Sequence, residues 1–130
     1  MSVQARVNHL FGGADAPVTV SPVAVGSNNL INIPAVGSWI NLTASASTTL
    51  GGTGTSPLVP VFAMPAFSRN RLLFLYNNGS QDIIFTNNDN TTTNGYMDLG
   101  GSNVTLGATD LLCVYVRADG SAVRVFNTNN

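Results

Sequence analysis

The stretch Arg69–Thr86, RNRLLFLYNNGSQDIIFT, constrains the fold more than any other part of the chain, because two β-rich runs flank the dipeptide Asn78-Gly79. Asn-Gly readily supplies the two left-handed positions of a two-residue type I′ turn, so the pattern predicts a β-hairpin with Gly79 at positive φ. With Asn77 opposite Ser80, the pairs become Tyr76 with Gln81, Phe74 with Ile83 and Leu72 with Phe85 on one face. Leu75 with Asp82 and Leu73 with Ile84 follow on the other. Both faces are apolar. An antiparallel hairpin normally turns one polar face to water, so one face is expected in the core and the other against a further layer or subunit. Leu73, Leu75 and Ile84 are the expected subunit contact.

Helix is disfavoured as a main element because the chain has no Lys and no Glu; its charges are five Arg and six Asp in 130 residues. Asn, Thr, Ser and Gly fill the polar positions between Val, Leu, Ile and Phe, the mixture of short strands joined by turns. The expected class is all-β, a β-sandwich of jelly-roll-like type. One domain suffices for this length, with residues 1–35 as an extended N-terminal arm with edge segments and 36–130 as the sandwich. A net charge of −1 gives no general attraction to nucleic acid or to an anionic membrane. No run of about 18 apolar residues and no export signal is present.

Along the chain, Met1–Ala16 is poor in both helix and strand signals, and reads as a tail or as an arm ordered by a partner through Val7, Leu10 and Phe11. Pro22 removes a ladder donor from the extended run Pro17–Val25, which makes that run an edge strand or arm. A strand is expected from Trp39 toward Leu50, then a Gly-rich loop, then an edge-like strand Leu58–Met64 containing Pro60. Short strands follow at Gly95–Leu99 and Asn103–Leu106. The second hairpin signal is Asp110–Phe126, turning at Asp119-Gly120, with Gly120 at positive φ. Setting Ala118 opposite Ser121 pairs Val116 with Val123, Val114 with Val125, Tyr115 with Arg124 and Cys113 with Phe126. That register separates an aliphatic core face (Leu112, Val114, Val116, Val123, Val125) from a mixed face. The mixed face, with Tyr115, Arg124 and Phe126, has the composition of a protein contact.

Candidate chemistry is thin. His9 stands without a neighbouring His or Cys, so a metal role is not expected. Asp89 is the only charge in the polar loop Asn87–Gly95, which lacks the alternating acids and closing Glu of a calcium loop. The Asp residues beside Gly and Asn are expected to cap backbone amides in turns. Cys113 is the only cysteine; it reads as a buried small hydrophobe and excludes an intrachain disulfide. The sequons at Asn41, Asn78, Asn90 and Asn103 read as turn-forming Asn in a chain without an export signal. No catalytic residue, metal or cofactor is expected, and the chain is not expected to be an enzyme.

The runs RLLFLYNNGSQDIIF and VTLGATDLLCVYVRADGSAVRVF resemble the small β modules of tailed-bacteriophage virion proteins. In those modules an Asn-Gly hairpin precedes a Leu-Gly-x-x-Asp turn, an apolar strand, an Asp-Gly turn and a final strand. The likeness covers Arg69–Phe126 and carries no functional residue with it. It implies a virion component: a capsid decoration or cement subunit on the outer phage head, a head fibre, or a tail-fibre module. The decoration reading fits best, with a homotrimer made in the host cytoplasm that contacts the major capsid protein. The alternatives are a receptor-binding fibre module and, less well supported, a carbohydrate-binding module. The last would need an exposed aromatic platform, for which Trp39 and Tyr96 are the candidates; a lone Trp in a small sandwich is expected in the core.

Overall fold

The computed structural model describes residues 31–35, 37–51, 61–88 and 97–129, and the backbone alone of residues 18–20, 23–25 and 28–30. Val7, His9, Leu10, Phe11, Asp89, Asn90 and Tyr96 lie outside the described residues. The protein is all-β. Its strands are β1 (Val18–Val20), β2 (Val23–Val25), β3 (Asn28–Asn32), β4 (Trp39–Leu42), β5 (Thr48–Leu50), β6 (Phe62–Ala63), β7 (Arg71–Asn77), β8 (Ile83–Phe85), β9 (Met97–Asp98), β10 (Val104–Leu106), β11 (Leu111–Val116) and β12 (Ala122–Asn127). One turn of 3-10 helix, Ala66–Ser68, joins β6 to β7.

A six-stranded sheet in the order β1-β4-β7-β11-β12-β9 faces two three-stranded sheets, β10-β8-β5 and β2-β3-β6. Strand β4 runs parallel to β7, while β7 and β11 are antiparallel. Parallel neighbours need a crossover, because a tight turn can only reverse the chain. Between β4 and β7 the crossover is made by β5 and β6, which belong to the smaller sheets. Strands β1 and β2 both end their sheets, the edge positions expected on either side of Pro22.

Alternation along the strands sends Ile40, Leu42, Leu73, Leu75, Leu112, Val114 and Val116 inward from the large sheet. Leu50, Ile83, Phe85, Val104 and Leu106 meet them from the opposite layer. Phe62 joins the two small sheets by packing its ring against Phe85, centroid to centroid 6.4 Å. The core reaches back past Val36 to Ile31 and Ile33, both buried, so β3 is part of the sandwich and not of an arm.

The expected hairpin Arg69–Thr86 does not form. Strand β7 pairs with β4 and β11, whereas β8 pairs with β5 and β10 in the other layer. Asn78-Gly79 is a corner between layers, and Gly79 is not among the glycines at positive φ. The corner is built by Asn77, which is fully buried. Its Oδ1 accepts from the Gly79 amide at 3.0 Å, and its Nδ2 donates to the carbonyls of Gln81 at 2.9 Å and Leu106 at 2.8 Å. A side-chain oxygen that accepts from the amide two residues on imitates a backbone turn. The nearby Leu106–Asp110 turn closes similarly: Asp110 Oδ2 accepts from the Gly107 amide at 3.0 Å, and the Asp110 amide donates to the Gly107 carbonyl at 3.1 Å.

The second hairpin does form, between β11 and β12, but one residue out of the expected register. Arg117 N donates to Ser121 O at 2.8 Å and Gly120 N to Arg117 O at 3.0 Å, with Gly120 at φ +87°. The loop is therefore three residues, Ala118–Gly120, ending in a left-handed glycine. Val116 consequently faces Ala122, Tyr115 faces Val123 and Val114 faces Arg124. A bulge opposite Cys113/Val114 absorbs the extra residue, so Cys113 does pair with Phe126 as expected. Because a one-residue slip reverses a strand's faces, Val123 leaves the expected core face and Val125 is exposed.

Candidate functional site

The outward face of the large sheet is set by the same alternation that builds the core. On β4, Ile40 and Leu42 point inward, so Trp39 and Asn41 point outward. On β7, Leu73, Leu75 and Asn77 are buried, leaving Leu72, Phe74 and Tyr76 on the outside. On β11 the outward positions are Leu111, Cys113 and Tyr115.

Cross-strand register arranges these side chains in three rows. Asn41 pairs with Tyr76, which pairs with Leu111; Trp39 pairs with Phe74, then Cys113, then Phe126; Leu72 pairs with Tyr115, then Val123, then Asp98 at the sheet edge. Asp98 is the single charged position in the three rows, and its carboxylate accepts from the Gly100 amide. The Trp39 and Phe74 rings lie 6.1 Å apart with planes within 14°, and Trp39 meets Tyr76 at 5.8 Å. Phe126 approaches Phe74 edge-on at 6.4 Å. Such pairs hold one another in place beyond the apolar area they bury. Trp39 Nε1 also donates to Asn41 Oδ1 at 3.1 Å, which orients the indole.

Phe74 and Phe126 flank Cys113 across the neighbouring strands, and Cys113 is only 1% exposed. The thiol is buried as expected, although between the outer rings and not within the central core cluster. Burial pushes its pKa up, since the thiolate is the form that loses hydration.

Trp39, expected in the core, is 42% exposed, and Tyr115 and Phe126 are exposed beside it. The expected contact residues thus separate. Leu73 and Leu75 are core side chains with no exposed surface, because the partners of β7 come from β4 and β11 and turn those residues inward. Ile84 is half-buried on β8 in the opposite layer. Arg124 lies off the aromatic rows, over Gly100, with its Nη1 donating to Asn127 Oδ1 at 3.2 Å. Tyr115 and Phe126 do share one face. The structure adds Trp39, Phe74 and Tyr76 to it; the alternation in WINL already separates Trp39 from Ile40 and Leu42. In RLLFLYN every position but the ends is apolar or aromatic, so periodicity alone cannot choose a face.

The polar groups near this face serve the fold. Arg71 donates to the carbonyls of Gly37 at 2.7 Å and Pro34 at 2.5 Å, and Arg69 to that of Ala118 at 3.1 Å. Asp98 and Asp119 accept from the amides of Gly100 and Ser121. Among the described residues there is no cluster of three or more His, Cys, Asp or Glu suited to a metal, and no helix long and apolar enough to cross a membrane. What the arrangement offers is contact: an aromatic and aliphatic surface on a sheet, with a single charge, Asp98, at its edge. No protein-family model, curated protein or solved structure matches the chain.

Proposed function

We propose that this protein is a non-catalytic virion component, a capsid decoration subunit that sits on the outer phage head and stabilises contacts between capsomers. The observation that carries the reading is the exposed aromatic face of the large sheet, whose one charge is Asp98 at its edge. It belongs to a small domain in which Arg71, Asn77, Asp98, Asp110 and Asp119 hold turns and loop carbonyls, which supports a surface that works by contact. The resemblance of Arg69–Phe126 to phage virion modules supports the same conclusion. In this reading the subunit is a homotrimer, and Val7, Leu10 and Phe11 are the residues that engage the major capsid protein. With a net charge of −1, attachment depends on apolar burial and is only weakly sensitive to salt.

The exposure of Trp39 favours a second reading, a receptor-binding module of a tail fibre. Mass spectrometry of separated heads and tails decides between them: recovery with heads supports decoration, and recovery with tails overturns it. Deleting residues 1–16 should leave the thermal midpoint unchanged while reducing rebinding to heads stripped of the protein. Full rebinding by the truncated chain would move the capsid contact onto the sandwich itself.

A further inference from the structure

We infer that the outer face of the six-stranded sheet is a binding site for a neutral glycan. The surface sets five aromatic rings among Leu72, Leu111 and Val123, and its polar groups are the Asn41 amide, the hydroxyls of Tyr76 and Tyr115 and, at the sheet edge, the Asp98 carboxylate. A pyranose presents an apolar face of C–H bonds and a rim of hydroxyls. The apolar face stacks on exposed rings such as Trp39, while the rim is met by amide and phenol groups, the combination expected of a small-ligand site. Charge matching selects within the class: no row position is an arginine and the one charge is the Asp98 carboxylate, so an acidic or phosphorylated sugar meets a like charge and no counter-ion within the rows.

Size argues against a second copy of the chain as occupant. Four strands spaced about 4.8 Å apart and three rows about 7 Å apart make a patch on the order of 400 Å², about half the roughly 800 Å² per partner of a stable protein–protein contact, so this face alone does not hold a second copy, and the capsid contact of the decoration reading draws on the N-terminal residues as well. A short oligosaccharide matches the patch. The site is preorganised, since the Trp39–Phe74 and Trp39–Tyr76 ring contacts and the Trp39–Asn41 hydrogen bond fix the indole before any ligand arrives.

The inference stands beside the decoration reading and not on it, because it is measured on the isolated full-length chain. Calorimetric titration with neutral oligosaccharides of glucose, mannose, galactose and N-acetylglucosamine, with polysialic acid and hyaluronate as charged comparators, should give saturable binding of at least one neutral sugar. Trp39 is the only tryptophan, so its emission should shift with the same titration. Trp39→Ala and Tyr115→Ala, each with unchanged circular dichroism, should weaken binding about tenfold or more. Three results overturn the inference. One is no heat or emission change with any neutral sugar up to about 10 mM. Another is undiminished binding by both variants. The third is shielding of Trp39 from acrylamide that disappears on dilution in step with a fall in mass by light scattering, which would assign the face to a second copy. Recovery of the protein with tails would refute the decoration reading and leave this one standing.

Discussion

Replacing Asn77 with alanine tests the corner that takes the place of the expected hairpin. The side chain is fully buried and makes three hydrogen bonds, to the Gly79 amide and to the Gln81 and Leu106 carbonyls. A typical bond contributes about 1 kcal/mol net, and a buried partner left unmet costs about 1–3 kcal/mol. The Leu106 bond is the fully buried one, so its loss costs about 2 kcal/mol, while the other two partners regain some water and cost about 0.5 kcal/mol each. The sum is about 3 kcal/mol, a large share of the roughly 5–15 kcal/mol that holds a domain folded. Urea unfolding followed by circular dichroism should show the midpoint falling with the slope unchanged. The exposed neighbour is the control: Asn78→Ala should stay within about 0.5 kcal/mol. A loss under about 1 kcal/mol for Asn77→Ala, or equal losses at the two positions, would show that the corner is not built by the Asn77 side chain.

The two glycines expected to behave alike should differ. Gly120→Ala should cost about 1 kcal/mol or more in thermal or urea unfolding, because its φ is +87° and a Cβ would press on the Arg69 guanidinium at 3.3 Å. Gly79→Ala, whose Cβ would meet only ordinary contacts with Asn77 and Thr43, should change stability by less than about 0.5 kcal/mol. Leu73→Asp should unfold the protein, judged by circular dichroism, since it buries a charge in the core; a folded but dissociated variant would restore Leu73 to a subunit contact. Asp119 supplies a pH signature. Its hydrogen bonds from the Ser121 hydroxyl and amide hold its carboxyl below the usual range, so its stabilisation is complete above about pH 4 and is lost as pH falls through the lowered folded-state value. The stability gap between wild type and Asp119→Ala should therefore be present at neutral pH and shrink toward about pH 2; a constant gap would refute the assignment.

The sequence by itself determined the features that depend on near neighbours and on composition. The absence of Lys and Glu together with alternating Val, Leu and Ile was enough for an all-β chain. Asp119-Gly120 marked a real hairpin, Pro22 marked edges, and aspartates beside glycine marked capped turns. Tertiary structure decided what depends on distant pairing. The two halves of Arg69–Thr86 had equal claim to each other, but β7 gains β4 and β11 as partners and β8 gains β5 and β10. Both pairings are non-local, and only the closed core rewards their loop-closure cost. That choice turned Leu73 and Leu75 inward and left Phe74 and Tyr76 outside. The length of the Asp119-Gly120 loop was similarly open to either two or three residues, and one residue of difference moved Val123 to the other face. An aromatic surface gathered from four strands spread along the sequence, with Trp39 at one end of a row and Phe126 at the other, exists only once register is set, because side-chain alternation assigns faces strand by strand and the sheet order alone brings those faces together.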